Sequence, residues 1–149
     1  MEIERKYLIK ELPENLESYA KRELEQGYLC TDPVLRIRKD NDRYELTYKG
    51  KGLLVREEYN LPLTQESYEH LKTKIDGRII SKTRYMIPIT GTPLTIELDV
   101  FHGDLAPLLL AEVEFPDEAS ANQFLPPEWF GEDVTFSSVY HNSNLSRLF

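Results

Sequence analysis

Glu2, Glu4 and Lys6 stand at every second position of the opening Met-Glu-Ile-Glu-Arg-Lys-Tyr-Leu-Ile. On a β-strand, side chains two apart project from the same face, so two carboxylates and an ammonium form one row, beside the apolar alternates Ile3 and Tyr7. Such a row suits a metal-bound polyphosphate. Mg²⁺ or Mn²⁺ takes one or two carboxylates and completes its shell with water and phosphate oxygens, while a lysine neutralises phosphate charge directly. The pattern then returns along the chain. Arg36 and Arg38 flank Ile37; Glu45, Thr47 and Lys49 alternate with Tyr44, Leu46 and Tyr48; Arg56 and Glu58 follow, then Lys82 and Arg84. Glu97 and Asp99 alternate with Ile96, Leu98 and Val100, and Glu112 and Glu114 with Ala111, Val113 and Phe115.

The elements that must position these residues are therefore strands. An open antiparallel sheet with one face buried and the other wet would present such alternation as a salt-bridged outer surface. Against that reading, the charges sort by strand: Arg36/Arg38 and Lys82/Arg84 are purely basic, Glu97/Asp99 and Glu112/Glu114 purely acidic. Surface ion pairs are worth only about 0–1 kcal/mol each and need no such sorting. A sheet closed into a barrel would turn one set of alternates inward, and a lumen with cationic and acidic zones would hold a metal-complexed polyanion.

Residues 2–9 read as the first strand. Pro13 then opens an amphipathic stretch with Leu16, Tyr19, Ala20 and Leu24 at helical spacing, and alternation resumes near Gln26. The Asp40-Asn41-Asp42 cluster and the Lys49-Gly50-Lys51-Gly52 run are turn signals separating hairpin strands at 34–39, 43–49 and 53–61. Thr64 is placed to cap a helix carrying Tyr68, Leu71 and Ile75 and closed by Gly77. Strands near 79–89, 94–101 and 108–115 follow. Asp117 caps a short helix ended by Pro126-Pro127, Trp129-Phe130-Gly131 leads into a loop, and a last helix is expected near 141–148. The class is α+β, dominated by an antiparallel sheet.

With 149 residues the chain has the size of one domain, and no linker or composition shift divides residues 1–149. The formal charge of −8 argues against nonspecific nucleic-acid binding, so a phosphate site must come from local clustering of cations. A strand from residue 2 leaves no room for a signal peptide, and no apolar run approaches the roughly 18 residues of a membrane span. A cytoplasmic protein that engages no membrane is the expectation. Cys30 is the only cysteine, which excludes an internal disulfide, and His70, His102 and His141 lack the spacing of a zinc site.

Taken together, Glu2-x-Glu4-x-Lys6, Gly27-Tyr28-Leu29, Arg36-Ile37-Arg38, Thr47-Tyr48-Lys49-Gly50, Arg56-x-Glu58, Lys82-Thr83-Arg84-Tyr85, Glu97-x-Asp99 and Glu112-x-Glu114 resemble, in order, the CYTH superfamily. Its members, the triphosphate tunnel metalloenzymes, include class IV adenylate cyclases, thiamine triphosphatases, RNA triphosphatases and bacterial inorganic triphosphatases. Trp129 to Thr135 and Tyr140-x-Asn142 are similar to the short bacterial members. The resemblance implies an eight-stranded antiparallel closed β-barrel, a tunnel with a charged lumen and a few flanking helices. It implies that Lys6, Arg36, Arg38, Lys49, Arg56, Lys82 and Arg84 hold phosphates, and that Glu2, Glu4, Glu112 and Glu114 hold Mg²⁺ or Mn²⁺, with Glu58 and Asp99 as further acidic contacts. A tyrosine and a lysine are linked in some members to handling of the attacking water; Tyr28 and Lys82 match those positions, and core packing is the other reading of Tyr28. Asn60 departs from the family pattern, in which an acidic residue is frequent. Glu45 and Glu57 read as surface charges, Glu97 as a rim residue, and Trp129 and Phe130 as a buried loop anchor. The activity implied is hydrolysis of tripolyphosphate to pyrophosphate and phosphate, extending to nucleoside or thiamine triphosphates. A class IV-type adenylate cyclase and a noncatalytic triphosphate-binding module are the alternatives, and a homodimer is left open.

Overall fold

The charge–apolar alternation becomes strand wherever it occurs. The computed structural model describes residues 1–146. Ten strands run as β1 (Glu2–Ile9), β2 (Ala20–Thr31), β3 (Val34–Asp40), β4 (Arg43–Lys49), β5 (Val55–Arg56), β6 (Glu58–Pro62), β7 (Asp76–Pro88), β8 (Thr95–Phe101), β9 (Leu109–Glu114) and β10 (Phe130–Asp133). Three short helices flank them: α1 (Gln65–Lys72), α2 (Glu118–Gln123) and α3 (Asn142–Leu145).

The sheet order is β10-β1-β9-β8-β7-β2-β3-β4-β6, with β5 pairing back onto β1, and every pairing is antiparallel. The count of ten rather than eight has a simple origin. β5 and β6 are two halves of one stave broken at Glu57: β6 pairs with β4, and β5 pairs Glu2 with Arg56 and Ile3 with Val55. This split stave closes the barrel through a narrow seam. β10 is an addition outside it, laid along the far half of β1 in place of the loop expected after Trp129.

Two apolar clusters hold the barrel. Outward alternates of β1, β7, β8 and β9, among them Tyr7, Tyr85, Leu98 and Val113, are covered by α2, by Phe130 and by the segment around Leu16 and Tyr19. Trp129 and Phe130 anchor this layer, edge to face with ring centroids 4.7 Å apart. The second cluster lies at one end of the lumen. Val34, Ile80, Phe101 and Leu110 each stand two residues along their strand from a charged inward residue, and Tyr28 two from Gln26, and so on the same face; Val134 and Leu145 pack among them. The tunnel is therefore blind at this end, floored by apolar side chains.

The helix expected from Pro13 is not formed. A single 3₁₀ turn (Leu16–Ser18) precedes β2, and Asn15, at φ 58, starts that turn in a left-handed conformation. The spacing of Leu16, Tyr19, Ala20 and Leu24 mimicked a helix, but Leu24 is an inward strand residue held between Asp40 and Lys82 by pairing on both sides. α1 begins as expected, with Thr64 and Ser67 forming a reciprocal capping box, but ends at Lys72; Gly77, at φ 72, belongs to the start of β7. Asp117 caps α2 through Ser120 N–H. α3 covers the start of the expected last helix, whose positions 147 and 148 lie outside the described residues.

Candidate active site

The inward alternates meet in a cavity of about 210 Å³ above the apolar floor. Eight cationic and eight carboxylate side chains line it, so the cavity is formally neutral within a chain of charge −8. Val34 and Leu53 are its only aliphatic lining residues among those described. The sequence-predicted Glu2, Glu4, Lys6, Tyr28, Arg36, Arg38, Lys49, Arg56, Glu58, Arg84, Glu112 and Glu114 all reach it. Lys82 and Asp99 do not: both are fully buried below it, at the junction with the apolar floor.

Ion pairing divides the lumen. The cations of β1, β4 and β7 are tied to acids of β1, β6, β8 and β9. Lys6 Nζ lies 3.5 Å from Glu112, and Lys49 Nζ lies 3.0 Å from Glu2 and 3.4 Å from Glu58. Arg84 grips Asp99 with two parallel bonds of 2.7 and 2.8 Å and reaches Glu97 at 3.2 Å. Lys82 Nζ stands 2.7 Å from the same Asp99, over the Phe101 ring. Burial pushes the Lys82 ammonium down to about 7, Arg84 and Arg38 adding to the push against Asp99. Glu97, expected at the rim, links Arg84 to Arg22, which also pairs with Asp40 at 3.2 Å.

On β3 and β5 the balance is different. Among the described residues Arg36, Arg38 and Arg56 have no carboxylate at ion-pair distance. Arg36 and Arg38, both buried, are held by neutral oxygens: Arg36 donates to Thr47 Oγ1 at 3.1 Å, and Arg38 donates twice to Gln26 Oε1. Burial, with Arg36 and Arg84 nearby, pushes the Arg38 guanidinium down to about 9. Two adjacent guanidiniums without a counter-charge form a seat for an anion.

The converse holds for Glu4 and Glu114, which directly oppose each other across β1 and β9 and make no ion pair among the described residues. Burial raises the Glu4 carboxyl well above the usual range, and the charges of Glu112 and Glu2 raise it further; burial and Glu58 also raise Glu114. Burial lifts Glu2 to about 7. Glu58 is held at about 2 against its own burial by its hydrogen bond with Glu2, by Lys49 and by Asn60. These carboxylates repel one another, and a cation would relieve them.

A model of the CYTH domain matches residues 1–147. The chain belongs to the CYTH domain family. Two relatives named inorganic triphosphatase cover it almost entirely. That of Nitrosomonas europaea is 43% identical over 148 residues, 97% of this chain and 96% of its own, and that of Acetivibrio thermocellus is 36% identical over 152 residues, 98% and 93%. A solved structure of an inorganic triphosphatase superposes on all of this CYTH chain and 96% of its own with a TM-score of 0.75 and 38% identity.

CYTH membership implies a divalent metal, and the donor set here fits one: Glu2, Glu4, Glu112 and Glu114 supply hard oxygens from neighbouring strands. Among the described residues no three acidic groups already converge on one point, because Glu2 is held by Lys49 and Glu112 by Lys6. Asn60, the departure from the CYTH pattern, accepts from Thr47 at 2.6 Å and donates to Glu58 at 3.0 Å, completing a relay from Arg36 to Glu58. Several lining residues of this CYTH lumen escaped the sequence reading. Glu45, expected on the surface, lines the cavity, as do Arg22, Asp40 and Arg43; the strand phase of Arg22 was hidden by the helical spacing around it. His141 and Ser143, which carry no alternation signal, close one side from the C-terminal segment together with Asn142 of the Tyr140-x-Asn142 motif.

Proposed function

We propose that this CYTH protein is a metal-dependent inorganic triphosphatase, hydrolysing tripolyphosphate to pyrophosphate and phosphate. The carrying observation is the pair of buried guanidiniums, Arg36 and Arg38, without a carboxylate partner, in the same small polar cavity as the unpaired Glu4 and Glu114. The volume supports a compact inorganic substrate, since 210 Å³ is below the roughly 300–1,000 Å³ of pockets that enclose drug-sized ligands.

In this reading Arg36, Arg38 and Arg56 bind and align the phosphates, and Lys6 and Lys49, which pair with Glu112 and Glu2, would neutralise phosphate oxygens beside them. Glu2, Glu4, Glu112 and Glu114 would hold Mg²⁺ or Mn²⁺, which when bound supplies Lewis-acid stabilisation of the phosphoryl oxygens and a more acidic water. Asp99 fixes Arg84 and Lys82 as one buried unit, so Lys82 acts through Asp99 and Arg84. Tyr28, which belongs to the floor and also lines the cavity, would orient water at the terminal phosphorus. Water oxygen bonds to that phosphorus, the bridging P–O bond breaks, and pyrophosphate leaves with the electron pair. Arginines aligned beforehand stabilise the charge on the equatorial oxygens without reorganising during the reaction.

A shelf formed by Met86, Pro93, Leu94, Phe115 and Pro116 adjoins Glu97 and Glu114, and favours slower turnover of triphosphates carrying an organic group. A cyclase has less support, for among the described residues the lumen lining holds only Val34 and Leu53 as aliphatic side chains and offers no apolar slot for a base. A pure anion receptor would be weakened by Glu4 and Glu114. The test is phosphate release from tripolyphosphate, ATP and thiamine triphosphate with Mg²⁺, with Mn²⁺ and with chelator. Metal-dependent release fastest on tripolyphosphate is the expected result; cyclic AMP from ATP, or binding without release, would overturn it.

A further inference from the structure

Gln26 is wholly buried in β2, outside the cavity lining but joined to two residues that form it. Its Oε1 accepts from Arg38 Nε at 2.9 Å and from Arg38 Nη2 at 2.7 Å; its Nε2 donates to the Tyr28 hydroxyl at 3.5 Å. Arginine offers only donors, so the amide oxygen must face Arg38, and the NH₂ group is thereby turned toward Tyr28. Three of the lumen's other cations are held by acids, Lys6 by Glu112, Lys49 by Glu2 and Arg84 by Asp99, whereas Arg36 gives a single bond to the neutral Thr47. Arg38 receives the same two-armed grip as Arg84, but from a neutral group.

We infer that Gln26 is a positioning residue which aims Arg38 at a substrate phosphate while leaving the guanidinium charge unspent, and so sets the affinity of the site for tripolyphosphate. This rests on the triphosphatase reading above. Two donors to one oxygen, from Nε and Nη2, set the direction of the guanidinium plane. A carboxylate at that place, however, would form charge-assisted bonds about twice as strong and would compete with the incoming phosphate for the same donors. The neutral clamp leaves Arg38 desolvated beside Arg36 and Arg84, an arrangement unfavourable until an anion arrives. The depressed Arg38 value of about 9 agrees with this. A buried amide with both ends engaged also couples the phosphate seat to Tyr28.

The test compares wild type with Gln26→Glu, Gln26→Met, Arg38→Met and the double variant Gln26→Glu/Arg38→Met. KM and kcat on tripolyphosphate are measured, together with calorimetric binding of tripolyphosphate in chelator and thermal unfolding. Gln26→Glu should unfold at or above the wild-type temperature yet raise KM and weaken metal-free binding by at least about tenfold, the reverse of what lost structure would do. Gln26→Met should unfold earlier and raise KM by a smaller factor. With Arg38 already removed, Gln26→Glu should change KM by less than about twofold, because it acts through that arginine. Unchanged KM and binding in Gln26→Glu, or an equal loss with and without Arg38, would overturn the inference while the triphosphatase reading stood. A wild type that neither binds nor hydrolyses tripolyphosphate would overturn both.

Discussion

Glu4 and Glu114, facing each other across β1 and β9, are lumen carboxylates whose charge is left over once Lys6, Lys49 and Arg84 have been assigned to Glu112, Glu2 and Asp99. Glu4→Gln or Glu114→Gln keeps the shape and removes that charge. Loss of a group that merely supports a metal ligand costs roughly 10–100-fold, so each variant should lose at least about 100-fold in metal-dependent kcat. The melting temperature should hold or rise, because a repelling charge has gone. Full activity in either variant would sink the assignment. Asp99 behaves in the opposite sense. It is the shared partner of Arg84 and Lys82, all three buried, and Asp99→Asn would strand two cations in the wall of the barrel. Breaking one partner out of a buried ion pair costs about 3–5 kcal/mol, so urea denaturation of Asp99→Asn should show a loss of that order. A change under about 1 kcal/mol would mean that the triad contributes little to the fold, as exposed pairs do.

Glu25 on β2 ties α1 to the barrel through Lys72 at 3.0 Å and the Tyr68 hydroxyl at 2.8 Å. Its own burial raises the carboxyl, but the bonds from Lys72 and Tyr68 outweigh that and hold it below the ordinary 4.5. A depressed folded value means that the unfolded chain binds the proton first. The contribution is therefore present above about pH 4.5 and fades as pH falls through the folded value. With about a third of the side chain exposed, the effect is less than about 1 kcal/mol. Glu25→Gln should lower the melting temperature slightly at pH 7 and match wild type near pH 3; an equal deficit at both would show that charge is not what Glu25 contributes. The elements were legible where period two ran through charged residues, as in β3, β4, β8 and β9, because a charge facing a lumen is as periodic as an apolar residue facing a core. β2 was misread at its start because Leu16, Tyr19, Ala20 and Leu24 fit a helix; pairing with β3 and β7 overrides that local preference. The break at Glu57 and the pairing of β10 with β1 depend on distant strands and leave no local trace. In the lumen, most of the charged alternates that reach it were readable, but Arg22, Arg43 and Glu45 were not, nor which carboxylate each cation takes, nor the neutral clamp of Gln26 on Arg38.

At the scale of the whole molecule, the barrel keeps a neutral lumen inside an acidic protein by taking close to half of the chain's 18 lysines and arginines, eight of them, into one cavity. Among the described residues no helix is long and apolar enough to cross a membrane. The apolar floor under that cavity, built by Ile80, Phe101 and Leu110, makes it a cup that water and ions enter from one side. The wall is continuous except at the two-residue seam between β5 and β1, where Glu2 pairs with Arg56. Glu2 and Glu4, proposed to hold the metal, thus share one strand with the seam, and filling the acidic half of the lumen should tighten the whole barrel. A ligand that binds only the folded state at about 100 times its dissociation constant adds about 2.7 kcal/mol. For a chain of this length that corresponds to roughly 5–10 °C in melting temperature. Mg²⁺ or Mn²⁺ at saturation should therefore raise the wild-type transition by about that much, and chelator should reverse it. The same cations should leave Glu4→Gln nearly unmoved. A similar rise in that variant would place the cation elsewhere on the acidic surface, and no rise in wild type would mean that Glu4 and Glu114 stay empty until the phosphate brings the metal with it.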